Sequence, residues 1–233
     1  SAFEGATVLT SVVIPDSVTY IGRRAFAYSG LTSLTLGSSV ETIRSEAFNG
    51  TGLTSLVIPD SVTSIEYLAF AQAPLQTLVV GSGLQNTDSV GRGAFLNACQ
   101  TLRSVSIDSP GAIGKSDAGS AHLYRDVQRS KYLNVYASKG LQFGSKYDIN
   151  WSLGNGDTVT SNSLACPVLE SITLGDNVVT VGNHAFAGLS SLTSLTMGSA
   201  VTTIGSSAFK NATSLVSVTL GGGLQTIGSN AFQ

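Results

Sequence analysis

The chain repeats one short apolar motif along most of its length. Each copy has the form Leu-x-x-Leu-x-Leu or a close variant, and Leu31, Leu34 and Leu36 form one example. The last two apolar positions flank a single polar residue, which is the alternation expected of a strand with one buried face. A Gly or a Pro-Asp pair follows most copies, and these residues favour a turn. The motif therefore predicts one short strand per repeat.

A second motif, Ile-Gly-x-x-Ala-Phe, lies between successive copies of the first. Its Phe recurs at positions 3, 26, 48, 70, 95, 186, 209 and 232, so neighbouring copies are 22, 23 or 25 residues apart outside one long gap. One coil of that length cannot bury its own Leu and Phe side chains, whereas stacked coils bury them in a continuous column. We therefore expect about ten stacked coils, with the strands in a parallel sheet and the phenylalanines in one file.

The period is weakest in the middle of the chain. Residues 108–168 keep only traces of the Ile-Gly-x-x-Ala frame. We interpret them as divergent coils that contain an insertion near residues 119–131, where one short helix is expected. A separate globular domain is the alternative, since about 60 residues suffice for one. The favoured organisation is one solenoid over residues 1–233, with regular coils at 1–107 and 169–233.

The two motifs together resemble the BspA-like class of leucine-rich repeats. The resemblance covers the regular coils well and the middle of the chain weakly. It implies a leucine-rich-repeat solenoid that is mostly β, with a parallel sheet on the concave face and an irregular convex side of short turns. It also implies a bacterial or protist surface protein that adheres to host or neighbouring-cell proteins. The resemblance brings no catalytic residue and no cofactor.

Composition narrows the classes of partner. Charged residues make up 11% of the chain and the net charge is −2, so attraction of the whole molecule to nucleic acid or to an anionic membrane is not expected. No apolar run is long enough to cross a bilayer, and no transmembrane segment is predicted. The chain opens in the middle of a repeat, so we expect a fragment of a longer array. An extracellular or cell-surface location follows from the resemblance alone.

The first candidate site is the outward side of the predicted sheet. Alternation places small hydroxyl residues there, and it leaves almost no charge. We interpret this surface as a binding face for a protein or a glycan; the alternative is that Ser and Thr are simply well-behaved, solvated strand residues. Recognition of an ordered surface, such as ice or polysaccharide, is a third possibility. The candidate residues are Thr32, Ser33, Thr35, Thr193, Ser194 and Thr196.

The second candidate site lies in residues 115–151, which are basic and aromatic. Residues 115–146 contain half of the 12 Lys and Arg residues and have a net charge of +4, while the rest of the chain has −6. Tyr, Trp and Arg dominate protein interfaces. We predict that this segment protrudes and anchors an acidic partner; the alternative is that its aromatic residues fill the core where the repeat has decayed. The candidate residues are Tyr124, Arg125, Arg129, Tyr132, Tyr136 and Trp151.

Nothing in the sequence predicts catalysis. The two histidines, His122 and His184, have no Cys or carboxylate partners at metal-ligand spacing, and no nucleophile elbow or phosphate loop is present. We therefore predict no catalytic residues, no metal and no cofactor. The predicted function is a protein-interaction or adhesion module. The alternative is a structural or scaffolding subunit of a larger assembly.

The two cysteines, Cys99 and Cys166, both fall a few residues after the same landmark of the repeat, three coils apart. Their backbones are therefore about 14 Å apart at about 4.8 Å per coil. That distance exceeds the reach of a disulfide. On this count no disulfide is expected.

Overall fold

The computed structural model describes residues 1–84, 90, 91, 94, 95, 98–108, 151, 152, 158, 159, 168–183 and 185–233. These residues form a solenoid of short strands, and their only helical element is a 3-10 turn at Ala98–Gln100. The strands, in chain order, are β1 (Ser11–Val13), β2 (Tyr20–Ile21), β3 (Ser33–Thr35), β4 (Thr42–Ile43), β5 (Ser55–Ile58), β6 (Ser64–Ile65), β7 (Thr77–Val80), β8 (Ser104–Ile107), β9 (Trp151–Ser152), β10 (Thr158–Val159), β11 (Ser171–Leu174), β12 (Thr180–Val181), β13 (Ser194–Met197), β14 (Thr203–Ile204), β15 (Ser217–Thr219) and β16 (Thr226–Ile227).

The Leu-x-x-Leu-x-Leu motif forms the main parallel sheet, as predicted. Its six strands follow the order β15-β13-β11-β8-β7-β5, and β1 pairs with β3 in a separate two-stranded sheet. Apolar and polar residues alternate between the core and the surface: in β5, Leu56 and Ile58 are buried while Ser55 and Val57 are exposed. Equivalent residues lie side by side in neighbouring coils, so each buried side chain packs on its counterpart.

The second side of the solenoid is more regular than the resemblance implies. Its two-residue strands pair in parallel as β2-β4-β6 and β12-β14-β16. Each strand except β16 contributes one buried aliphatic residue, such as Ile43 or Ile204, and one outward residue. Two residues are enough for a strand here because the apolar column holds neighbouring coils at strand spacing.

The recurring phenylalanines form a file, which confirms the expected stack. Phe3, Phe26, Phe48, Phe70 and Phe95 follow one another, and Phe186, Phe209 and Phe232 form a second run. The six described ring pairs have centroids 5.1–5.5 Å apart and interplanar angles of 2–12°. Neighbouring coils are therefore in direct apolar contact at these rings.

The backbone turns sharply on either side of each phenylalanine. The residue two positions before the ring and the residue two positions after it adopt positive φ in most described coils; around Phe48 they are Glu46 (φ 59°) and Gly50 (φ 70°). Glycine accepts this conformation without steric cost, whereas other residues are strained there. Gly50 also lies under the ring of Tyr28, since a Cβ at position 50 would approach that ring to 2.6 Å.

The sheet passes directly from β8 to β11. Ser104 pairs with Ser171 and Ile107 with Leu174, so residues 108–168 place no strand between these two coils. The short strands β9 and β10 pair with each other in antiparallel fashion, unlike any strand of the repeat. The remaining divergent coils and the helix predicted near residues 119–131 lie outside the described residues.

This direct contact corrects the coil count used for the cysteines. We expected three coils to separate Cys99 from Cys166, but the coils that contain Leu102 and Leu169 are immediate neighbours. The backbone amide of Glu170 donates to the carbonyl oxygen of Arg103 over 2.8 Å, one residue after those leucines. The count of three intervening coils was therefore wrong. Cys166 itself lies outside the described residues, so the expectation of no disulfide stays a prediction.

Among the residues that the structure describes, no helix has the length and apolarity needed to cross a bilayer.

Candidate functional site

The outward residues of the Leu-x-x-Leu-x-Leu strands form one surface, which we call the hydroxyl face. Its first row takes one residue from each coil. Strand register aligns the two residues of β1 and β3 with each other and the six residues from β5 to β15 with one another, and every one of them has a hydroxyl group. The row consists of Ser11, Ser33, Ser55, Thr77, Ser104, Ser171, Ser194 and Ser217.

A second row lies two residues further along each strand, on the same face. It is hydroxylic in its C-terminal half, whereas three valines stand exposed in its N-terminal half. Seven of its eight residues are β-branched, so the row is stiff and has little rotamer freedom to lose on binding. It consists of Val13, Thr35, Val57, Val79, Ser106, Thr173, Thr196 and Thr219.

Hydrogen bonds between coils hold part of this face in place. The hydroxyl of Thr77 donates to the hydroxyl oxygen of Ser55 over 2.8 Å. The predicted site residues Thr32 and Thr193 precede their strands, and each donates its hydroxyl to a backbone carbonyl one coil earlier, over 3.3 and 3.0 Å. These bonds orient the hydroxyl groups before any partner binds.

The predicted residues of this face form two groups. Thr32, Ser33 and Thr35 belong to the coil of β3, and the other three belong to the coil of β13. Five strand spacings separate the two coils, which corresponds to roughly 24 Å. The two groups share one face, but only an extended partner reaches both.

Arg103 and Glu170 form an ion pair between the two groups, at the junction of β8 and β11. Both side chains are about half exposed. They precede their strands at the position that Thr or Gln occupies in most other coils. The pair therefore adds charge to a face that the sequence pattern predicts to have almost none.

The basic and aromatic candidate site is not placed by the structure. Tyr124, Arg125, Arg129, Tyr132 and Tyr136 lie outside the described residues, and Trp151 is described only through the backbone of β9. The solenoid residues described on either side of this segment are Asp108, which follows β8, and Val168, which precedes β11.

A row of carboxylates occupies the turns after the main strands. Asp16 accepts hydrogen bonds from the backbone amide and the hydroxyl of Ser38, over 2.6 and 2.9 Å. Asp60 and Asp176 accept from the equivalent amides one coil later, over 2.7 and 2.6 Å. The backbone hydrogen bond from Ser38, followed by its hydroxyl, lowers the pKa of Asp16 below its ordinary value. These carboxylates cap the next turn, which is a structural role.

A group of side chains on the second side of the solenoid was not predicted from the sequence. The stack β2-β4-β6 brings Tyr20, Arg44 and Tyr67 onto one surface, although they are spread over three repeats. They occupy variable positions in and around the Ile-Gly-x-x-Ala-Phe motif. A comparison of equivalent positions in successive coils finds this group of charged and aromatic residues only in the first coils.

The described residues offer binding chemistry. They contain no group of three or more His, Cys, Asp or Glu side chains that could hold a metal ion. His122 and His184, considered above as ligands, lie outside them. What the hydroxyl face supplies is hydrogen-bond donors and acceptors together with methyl groups on a stiff backbone.

Comparison with known proteins agrees with the repeat pattern. The family model of the BspA type leucine-rich repeat region matches residues 1–116 and 158–233, with six copies of the repeat. No curated protein matches the chain.

Solved structures of several bacterial repeat proteins are similar to this chain. A leucine-rich repeat protein from Bacteroides ovatus is 19% identical, with 100% of this chain and 78% of that chain covered and a TM-score of 0.40. A leucine rich cell surface protein from Faecalibacterium prausnitzii is 23% identical, with coverage of 94% and 61% and a TM-score of 0.35. The pneumococcal vaccine antigen PcpA is 18% identical, with coverage of 94% and 58% and a TM-score of 0.32. The chain spans less than two thirds of the length of the last two proteins.

Proposed function

The chain belongs to the BspA-type leucine-rich repeat family, and on that premise we propose that it is a non-enzymatic interaction module that binds a protein or glycan through its hydroxyl face. The observation that supports this most is the in-register sheet from β5 to β15, which repeats the same outward residue types coil after coil. Such a surface offers many weak, equally spaced contacts.

The composition of the face indicates how it would bind. Ser and Thr are rarely energetic hot spots in interfaces, so affinity has to come from a large contact area. The exposed valines Val13, Val57 and Val79 add apolar area in the N-terminal half. We therefore propose a partner that extends along several coils, and a role in adhesion at the cell surface or outside the cell. The family resemblance supports this location.

The basic and aromatic segment remains a second proposed contact of the same partner. Its flanks meet at the junction of β8 and β11, where Arg103 and Glu170 interrupt the hydroxyl rows. Residues Tyr124, Arg125, Arg129, Tyr132, Tyr136 and Trp151 would contribute anchoring side chains there. Binding by the chain with and without residues 115–147 tests this contribution directly.

The hydroxyl face can be tested with a matched pair of variants. Thr173 and Thr180 lie in the same coil and are both exposed, but Thr173 is on the hydroxyl face and Thr180 is on the second side. The purified chain is screened against arrays of glycans and of extracellular protein domains, and the affinity of each ligand is then measured by surface plasmon resonance. We expect Thr173→Arg to weaken binding at least tenfold and Thr180→Arg to change it less than twofold. Absence of any ligand, or equal losses in both variants, would contradict the proposal.

A second candidate function is a structural subunit of a larger assembly. Val13, Val57 and Val79 support it, since they stand exposed in one row of the hydroxyl face and a neighbouring subunit would cover them. Sedimentation velocity should then show concentration-dependent association that Val57→Asp removes; a monomer at all concentrations argues against this role.

A further inference from the structure

The second side of the solenoid differs between its two described stacks. Around β12, β14 and β16 the outward residues are almost all Thr, Ser, Gly and Asn. Around β2, β4 and β6 the same slots contain charged and aromatic residues. We call this group the outer cluster. It consists of Tyr20, Arg23, Arg44, Glu46, Glu66 and Tyr67.

The stacking of coils brings these residues together. Tyr20 pairs with Thr42, and Ile21, Ile43 and Ile65 lie side by side, so residues 22 positions apart become neighbours. The guanidinium carbon of Arg44 lies 6.0 Å from the centroid of the Tyr20 ring. This distance is at the outer limit of a cation–π contact.

The positive groups of the cluster are more exposed than the negative ones. The side chain of Arg23 is 71% exposed against 18% for its partner Glu46, and that of Arg44 is 56% exposed against 35% for Glu66. Both ion pairs are long, at 3.4 and 4.0 Å. A guanidinium has five N–H donors, so most of them are left to solvent or to a partner.

The carboxylates have other partners that hold them close to the backbone. One oxygen of Glu66 accepts both the amide and the hydroxyl of Ser45 over 2.9 Å. Glu46 also contacts Arg24 over 3.5 Å. The more exposed charges of the cluster are therefore guanidinium groups, although its two arginines and two glutamates balance in formal charge.

We propose that the outer cluster is a docking surface for a carboxylate-rich protein segment, separate from the hydroxyl face. Arg binds carboxylates in a bidentate geometry, and Arg and Tyr are enriched in interface hot spots. Glu41, exposed beside β4, sets the boundary of the surface, because an acidic segment is repelled there. The same slots in the C-terminal coils offer no comparable cation among the described residues.

Arg103 provides a matched control for Arg44. Both side chains are 56% exposed and both are ion-paired to a glutamate, but Arg103 lies at the hydroxyl face. The variants Arg44→Gln and Arg103→Gln change the net charge equally. A difference in peptide binding between the two variants therefore reflects the location of the arginine and not the change in net charge.

The probe is a fluorescein-labelled peptide of ten glutamates, followed by anisotropy at low salt. It is titrated with the full chain and with the chain lacking residues 115–147, each with and without the substitutions below, so that binding by the basic segment is separated from binding by the outer cluster. We expect Arg44→Gln to weaken binding at least fivefold, Arg23→Gln/Arg44→Gln to weaken it further, and Arg103→Gln to change it less than twofold. Thermal unfolding should remain similar, because exposed ion pairs stabilise little. Failure of the wild-type chain to bind saturably, or equal losses in Arg44→Gln and Arg103→Gln, would overturn the proposal. Neither result tests the hydroxyl face, so failure of this proposal is distinguishable from failure of the proposed function.

Discussion

Truncation of a phenylalanine in the middle of the file gives the sharpest test of the stacked-coil architecture. Phe48 is fully buried, and its ring lies between Phe26 and Phe70 at centroid distances of 5.2 and 5.1 Å. Phe48→Ala removes apolar contacts with the coils on both sides and leaves a cavity that two neighbouring backbones cannot easily fill. Replacements of this kind cost about 3–5 kcal/mol in free energy of unfolding.

Phe3 is the matched control, since it belongs to the same file and the same motif. Its ring stacks on Phe26 alone, at 5.2 Å, and the side chain is 50% exposed. Phe3→Ala removes about half of the transfer free energy of a buried Phe. It should therefore lower the free energy of unfolding by about 1–2 kcal/mol. The expected difference between the two variants is therefore about 2–3 kcal/mol for an identical chemical change.

The measurement is urea-induced unfolding followed by far-ultraviolet circular dichroism, with hydrogen exchange to locate the coils that open first. Repeat arrays are stabilised by nearest-neighbour interfaces, so Phe48→Ala should raise exchange in the coils of Phe26 and Phe70 before distant ones. Equal losses of stability in the two variants would refute the reasoning. So would uniform exchange along the chain, because it would mean that the rings do not couple adjacent coils.

Two further predictions follow from the backbone and the turns. Gln72 has φ 64° at the position that glycine fills in other coils, so Gln72→Gly should be more stable than Gln72→Val by about 1–2 kcal/mol; equal melting temperatures would show that this conformation does not matter. The lowered pKa of Asp16 means that its stabilisation is fully present above the ordinary value of 3.8 and is lost as pH falls through the lower folded value. The stability gap between the wild-type chain and Asp16→Asn should therefore shrink in acid, and a gap independent of pH contradicts the assignment.

The sequence by itself predicted the repeating unit and its packing. Alternation within Leu31, Leu34 and Leu36 placed the strands, and the recurrence of the phenylalanines every 22 to 25 residues placed their rings in stacks, described as one run from Phe3 to Phe95 and a second from Phe186 to Phe232. Both predictions succeed for the same physical reason. The partner of each coil is a nearly identical coil, so a local pattern already contains the information about long-range packing. The hydroxyl residues Ser33 and Thr35 were assigned to the outer face by the same alternation, and they lie there.

The tertiary structure alone decided which coils are neighbours where the repeat breaks, and which variable side chains meet. No local pattern specifies that β8 pairs with β11, because closing a longer loop costs little extra free energy and leaves no trace in the flanking strands. Tyr20 and Arg44 likewise come together only when the coils stack. In the sequence each residue occupies a variable position of its own coil, which gives no sign of the contact. Burial dictates the apolar positions of a solenoid, whereas contacts on its surface depend on the register between coils.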